Sequence, residues 1–279
     1  MLKKLRNDMT GKLEILCVTM HQKDFSKIKS MNIRCDVVFA NQADENSFKS
    51  IEFDGKTAKM ITTTTRGVGL NRNIALAAAT GDYLLFADED MTYNDDLPEK
   101  VISAFEELPK ADVICFGTHF SKNGKIYLTQ FVQTEKLHFF KSLKFGTYAI
   151  AIRRKSLLKA NLSFTEIFGG GCMYLHGEDS DFIINCYKKG LSIYTYNYIL
   201  GTSAKDTSTC FWGYNERFFY DTGAFANFAF GILSMPYIVY MALRIRNDCT
   251  LSFLRKLKLM YEGYKGFETL QTYDQYKSL

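Results

Sequence analysis

The chain has 279 residues, 47% of them hydrophobic and 15% aromatic, with only three prolines, which is enough for a large core and excludes a disordered main body. Its 35 basic and 30 acidic residues leave a net charge of +5, too mild to indicate nucleic acid but suited to an anionic ligand or an anionic membrane surface. The seven cysteines are odd in number, scattered, and form no Cys-x-x-Cys pair, so they read as reduced core residues of a cytosolic protein.

Met1 to Thr10 is polar and basic without an apolar run, so no signal peptide is expected. Residues 1–11 read as an N-terminal extension. Leu13 to Thr19 reads as a first strand ending in the polar run Thr19-Met20-His21-Gln22. Asp24 to Ser30 is a short helix candidate, and Cys35 to Ala40 a second strand ending in Asn41-Gln42. Strand ends of this polarity build one side of a nucleotide pocket in many α/β folds, and ordinary loop polarity looks the same. Lys59 to Thr64 is a third strand by its Ile and Thr content.

Arg66-Gly67-Val68-Gly69-Leu70-Asn71-Arg72-Asn73 follows, then an Ala-rich helix to Thr80. This imitates a dinucleotide fingerprint, but Arg72 stands where close helix–strand packing needs a small residue. Two readings remain for this stretch. Helix N-terminal amides with Arg66 and Arg72 face a pyrophosphate, or Arg72 ties the helix to a strand-end carboxylate.

Tyr83 to Ala87 is a short apolar run behind Gly81, as in a strand buried on both faces. It ends in Asp88-Glu89-Asp90. Two Asp at i and i+2 on such a rim suit a hard divalent cation and its phosphate ligands. Taken alone, the three acids fit better as a cap cluster before the helix predicted over Asp95 to Leu108; the flanking sequence reverses that.

Asp112 to Thr118 is predicted as a strand, and Lys125 to Val132 as another reached through Asn123-Gly124. Lys136 to Leu143 reads as helix, Tyr148 to Ile152 as strand, and Arg153-Arg154-Lys155 as the solvated start of a helix. Phe168 to Gly177 contains Gly169-Gly170-Gly171 and reads as a flexible loop. Glu178, Asp179 and Asp181 then open a helix to about Lys189, where acids in the first turn also answer the helix dipole. Leu191 to Tyr198 is a strand, and Gly201 to Cys210 a polar loop near the site. Phe225 to Leu243 carries no charge over 19 residues, the minimum for a membrane span, but Pro236 should kink or break it. Leu251 to Leu270 is basic, aromatic and amphipathic, as in helices lying in a membrane interface. Attachment at the inner face of the cell membrane is therefore expected, with a true span and a soluble helix packing on the main domain or on a dimer partner as the alternatives.

The stretch from Arg66 to Asn73, followed by Ala79-Thr80-Gly81-Asp82-Tyr83 and the Asp88-Glu89-Asp90 strand end, resembles the donor-binding half of family 2 glycosyltransferases. Gly177-Glu178-Asp179-Ser180-Asp181 resembles that family's acceptor-side motif, and Ser208 to Gly223 is similar to the tail of bacterial members that build surface polysaccharides. The resemblance covers roughly residues 13–270. It implies an α/β GT-A fold, one nucleotide-diphospho-sugar transferase domain over 12–223 with a mostly parallel central sheet. The donor half would cover about 12–118 and the acceptor half about 119–223, with a C-terminal helical tail over 224–279.

It also implies inverting sugar transfer from a nucleotide-sugar donor, a UDP-sugar, to a glycan or lipid-linked acceptor, with Mn or Mg as cofactor and no nucleic acid. Asp179 would be the catalytic base. Asp88 and Asp90 would hold the metal. Thr19, Asn41, Arg66, Arg72, Asn73, Asp88, Glu89 and Lys205 would face the donor, and Glu178, Asp181 and Trp212 the acceptor. Trp212 suits stacking on a sugar and core packing equally. Many members end the second strand in Asp, where this chain has Asn41, and place a histidine near the position of Lys205. A nucleotidyltransferase and a catalytically silent scaffold of the same fold are the alternatives.

Overall fold

The computed structural model describes residues 11–122, 125–130, 133–204, 213–245 and 249–278. The chain divides into two compact units. One takes residues up to 66, 70–164 and 182–208; the second takes 67–69, 165–181 and 209–279. This division differs from the expected boundary at residue 223, because the glycine-rich loop groups with the C-terminal helices.

The first unit is built on an 11-stranded sheet. Its strands are β1 (Leu13–Met20), β2 (Asp36–Gln42), β3 (Ser47–Phe53), β4 (Lys56–Thr63), β5 (Tyr83–Asp88), β6 (Met91–Tyr93), β7 (Val113–Lys122), β8 (Lys125–Gln130), β9 (Glu135–Lys136), β10 (Ile150–Arg153) and β11 (Ile193–Ala204). The helices reached by residue 188 are α1 (Lys27–Ser30), α2 (Val68–Ala78), α3 (Leu97–Glu107), α4 (Phe139–Ser142), α5 (Arg154–Ala160) and α6 (Glu178–Lys188). The strand order is β3-β4-β2-β1-β5-β10-β7-β11-β6. The run β4-β2-β1-β5 is parallel, as is β7 with β11, while β3, β10 and β6 run antiparallel to their neighbours.

Both faces of the parallel run are covered, which is why its strands read as continuous apolar runs. Ile15, Cys17, Val37, Phe39, Leu85 and Ala87 share one core cluster with Val101 and Phe105 of α3. The alternate residues Leu16, Val38, Ala40, Leu84 and Phe86 share the other with Ala75, Phe182 and Cys186. This alternation is the pleat itself. The rings of Phe164 and Phe182 stack at 4.4 Å, and Phe86 meets both edge-on.

The sequence reading missed three strands, β3, β6 and β9, and cut β11 short. β3 pairs with β4 through Asp54-Gly55, both with positive φ, a hairpin turn the Asp-Gly dipeptide announces. β3 is an edge strand with exposed residues on both faces, so its side chains carried no alternation. Three-residue β6 pairs with Gly201–Ser203, which extends β11 to Ala204 where a loop from Gly201 was expected. Of the helix expected over Lys136 to Leu143 only α4 is helical, because Glu135 and Lys136 pair with β11. The turn Asn123-Gly124 and the end of the strand expected to reach Val132 lie outside the described residues.

The second unit holds α7 (Glu216–Phe230), α8 (Ser234–Arg244), α9 (Phe253–Phe267) and α10 (Tyr273–Lys277). α7 and α9 touch backbone to backbone: a side-chain carbon at Gly223 would strike the Met260 carbonyl, and one at Gly263 the Tyr220 carbonyl. The apolar stretch from Phe225 is interrupted by a 3-10 turn over Gly231–Leu233, where Gly231 has φ 51°. Pro236 does not make the break. It lies in the first turn of α8, where a missing amide costs nothing. By length and composition alone, the stretch Glu216–Arg244 is sufficient to cross a membrane.

Candidate active site

In the first unit the parallel register sets β1, β2 and β5 side by side and brings Val18 opposite Asp88. Their C-terminal ends form the rim where open α/β sheets bind ligands. Arg72 of α2 is buried at 4% exposure, its guanidinium lies 5.3 Å over the Phe164 ring, and its Nη2 stands 3.3 Å from Asp88 Oδ1. The tie between helix and strand-end carboxylate is thus present, whatever else Arg72 contacts. Asp88 keeps 39% of its side chain exposed.

Glu89 accepts from Gln22 Nε2 at 3.0 Å, and Lys27 donates to the Glu89 carbonyl at 3.1 Å with its ammonium 3.7 Å from the carboxylate. Asp90 accepts from Ser203 Oγ at 3.0 Å, and its carbonyl accepts the Ala204 amide. Burial pushes the Asp90 carboxyl above its ordinary value, with the Ser203 hydrogen bond and Lys27 pulling the other way. These acids do not cap α3. That helix starts beyond them at Leu97, and its N-cap Asp96 makes no side-chain cap bond.

Asp88 and Asp90 fit a hard divalent cation in donor chemistry. Both offer carboxylate oxygens, and a cation would relieve the desolvation that raises Asp90. No group of three His, Cys, Asp or Glu among the described residues completes a protein-only site. The remaining ligands would be phosphate oxygens and water, the usual arrangement for Mg²⁺ beside a nucleotide.

Several residues expected to face the donor are spent on the scaffold. Asn41 is fully buried. Its Oδ1 accepts from Thr19 Oγ1 and the Gln22 amide, and its Nδ2 donates to the Gln22 carbonyl and to Thr62 Oγ1. It and Thr19 pin the loop after β1 to β2 and β4, leaving no amide edge for a base. Asn73 is paired both ways with the Phe164 backbone, at 3.0 and 2.8 Å. Arg66 donates to the carbonyls of Ala43, Thr64 and Thr65 and pairs with Asp44 at 2.8 Å.

Lys27 carried no sequence signal, lying in an ordinary polar stretch. Gln22 and Ser203 lay in stretches marked only as polar.

In the second unit the start of α2 is covered. The Val68 amide donates to the Gly170 carbonyl at 2.9 Å, and a side-chain carbon at Gly69 would collide with the Thr165 backbone. The glycines therefore serve this close crossing, and the Val68 amide is not open to a pyrophosphate. Glu178 and Asp179 are half-buried in the first turn of α6. Asp181 is 3% exposed, so it is not placed as an open acceptor contact; its amide donates to the Gly177 carbonyl at 2.8 Å. Lys205 and Trp212 lie outside the described residues.

Residues 37–162 match the model of glycosyl transferase family 2. A comparison with curated proteins finds no match. Among solved structures the chain is similar to S. aureus TarS 1–349 in complex with UDP-GlcNAc, at 15% identity and TM-score 0.58, covering 92% of this chain and 73% of that one. The same fragment with UDP gives 16% identity and TM-score 0.54, over 92% and 72%. S. aureus TarS at greater length gives 16% and 0.54, over 96% of this chain and 45% of that one. At such identities the likeness shows the fold, which is GT-A. Residues 37–162 of this chain thus carry the family 2 glycosyltransferase pattern on a GT-A scaffold.

Proposed function

We propose that the protein is a metal-dependent, inverting glycosyltransferase that uses a UDP-sugar and a lipid-linked or polysaccharide acceptor in cell-surface glycan synthesis. The observation that carries this reading is the Asp88-Glu89-Asp90 turn on the rim of the parallel strands, with Asp90 half-sunk and raised by burial. The family match and the UDP and UDP-GlcNAc complexes of TarS support the donor class.

Breaking a sugar–phosphate bond leaves a diphosphate with growing negative charge. A divalent metal on Asp90 and Asp88 supplies Lewis-acid stabilisation of that leaving group. Arg72 holds the Asp88 carboxylate in place, and Lys27 sets the turn through the Glu89 carbonyl. Inversion requires attack from the face opposite the leaving group. Asp179, at the start of α6, takes the proton of the acceptor hydroxyl in this reading, a contribution of about 10²–10⁴ in rate. The protein sits peripherally at the inner face of the membrane. The exposed Ile232, Leu233, Val239, Tyr240 and Leu243 support that, with exposed Lys258 and Lys265 on α9.

The test is a thermal-shift and turnover comparison with UDP-sugars, with and without Mn²⁺. Asp179→Asn should abolish transfer and keep the Mn²⁺-dependent shift, whereas Asp90→Asn should lose both. Near-normal turnover in Asp179→Asn removes that residue as the base. A UDP-sugar shift that ignores Mn²⁺ removes the metal.

A further inference from the structure

One stripe of α7 grips the segment in front of α6 residue by residue. Phe218, Asp221, Thr222 and Phe225 are spaced i, i+3, i+4 and i+7, so they share a helix face. Asp221 Oδ2 accepts the Leu175 amide at 2.9 Å. His176 stacks on Phe218 at 4.4 Å between centroids, and its Nε2 lies 3.1 Å from the Phe218 carbonyl and 3.4 Å from Thr222 Oγ1. Gly177 has φ 122°, and a side-chain carbon there would strike the Phe225 ring. The next residues in the chain are Glu178 and Asp179, and the Gly177 carbonyl accepts the Asp181 amide of the first turn of α6. Three consecutive residues are therefore fixed by three successive contacts on one helix, immediately before the acidic pair.

Asp221 is an expensive choice for this task. It is 1% exposed, and its Oδ1 has no hydrogen-bond partner among the described residues. Burial pushes its carboxyl up to about 7, opposed by the Leu175 amide and by Arg217 on the same helix and reinforced by Asp274 of α10. Arg217 Nε is 3.7 Å from Asp221 Oδ2, and the same guanidinium is drawn off to Asp274 at 3.1 Å. The neighbouring Tyr174 and Tyr220 hydroxyls both donate to the Gln271 carbonyl and offer Asp221 nothing. A buried carboxylate with an orphaned oxygen costs stability that a leucine of similar volume would not. Among the described residues, its one hydrogen bond comes from the Leu175 amide.

We infer that Asp221, at the centre of the Phe218–Phe225 stripe of α7, is a positioning residue that fixes the Leu175–Gly177 turn and through it the orientation of Glu178 and Asp179. The catalytic consequence rests on Asp179 acting as the base; the positioning itself does not. Nothing in the local sequence marks this role, since Asp221 lies mid-helix in an apolar stretch.

The test compares Asp221→Leu, which keeps bulk and removes the acceptor, with Asp221→Asn, which keeps an amide oxygen for Leu175. Two readouts are needed: steady-state turnover with a UDP-sugar, and amide hydrogen exchange over 175–181. Asp221→Leu should stay folded, lose about tenfold or more in kcat with donor KM within about twofold, and lose protection at Leu175. Asp221→Asn should keep kcat within about threefold and retain that protection.

The inference is overturned if Asp221→Leu keeps both turnover and protection, or if Asp221→Asn falls as far as Asp221→Leu. If Asp221→Leu does not fold, Asp221→Asn together with Thr222→Val decides it, since weakening the grip on His176 should raise exchange over 175–177. If transfer activity is absent throughout, the function reading fails while exchange still decides the positioning. If Asp179→Asn is active but the exchange contrast holds, only the catalytic link is lost.

Discussion

Glu14 offers a quantitative test of how the rim is held in register. It is 1% exposed on β1, yet its carboxylate Oε2 accepts the amides of Thr80 at 2.6 Å and Gly81 at 2.8 Å. Its Oε1 lies 3.7 Å from the Lys59 ammonium. Next to it, Asp82 Oδ2 accepts the Lys12 amide and the Lys12 carbonyl accepts the Asp82 amide, both at 2.8 Å. The Thr80-Gly81-Asp82 stretch is thus a lacing between the N-terminal ends of β1 and β5, and it sets the pairing that ends with Val18 beside Asp88.

Glu14→Gln keeps the shape but makes both bonds neutral and turns an NH₂ group toward Lys59. A hydrogen bond to a charged group is worth about 1.5–3 kcal/mol and a neutral one about 0.5–1.5 kcal/mol, so two bonds lose about 2–3 kcal/mol. At about 2–4 °C per kcal/mol, the melting temperature should fall by about 4–12 °C. Urea unfolding should show a lower midpoint at an unchanged m-value. An unfolding free energy within about 0.5 kcal/mol of the parent's refutes the lacing as a charge-assisted contact.

Two further outcomes are expected. Because the folded-state carboxyl of Asp221 is raised from 3.8 to about 7, the folded protein holds a proton that the unfolded chain has released. Stability from this group is intact below about pH 4, falls as pH rises and is fully lost above about 7, by at most about 4 kcal/mol. Urea titrations at several pH values should show Asp221→Asn flattening that slope, and an unchanged slope refutes the assignment. Cosedimentation with vesicles containing anionic lipid should capture the protein. Ile232→Glu with Leu233→Glu should weaken capture at least about tenfold, given residues 95% and 58% exposed at the turn before α8. Equal capture by the double variant moves the contact elsewhere.

Much of the architecture was legible because its signals are local. Buried parallel strands must be apolar on both faces, and helices must begin and end on particular residue types. β1, β2, β5 and α3 are therefore close to their predicted places. β3 and β6 were missed for opposite reasons. β3 is an edge strand with little to bury, and β6 is three residues long and exists only because β11 passes beside it.

The candidate site divides in the same way. That Asp88, Asp90 and Arg72 matter was readable, because their types and spacing carry chemistry by themselves. Which polar side chains remain available was not readable, because it depends on partners far away in the chain. Asn41 is consumed by Thr19, Gln22 and Thr62, and Asn73 by Phe164 ninety-one positions on. Gly69 is taken up by the backbone of Thr165, ninety-six positions on.

Periodicity and residue type suffice for the fold class, the buried parallel strands and the acidic end of β5. That Arg72 ties Asp88, that Ser203 and Lys27 complete the acidic turn, and that Asp221 holds Leu175 emerges from tertiary contacts alone. Hydrogen-bond capacity is used up pairwise across the fold, and no local pattern records which partner a buried polar group has found.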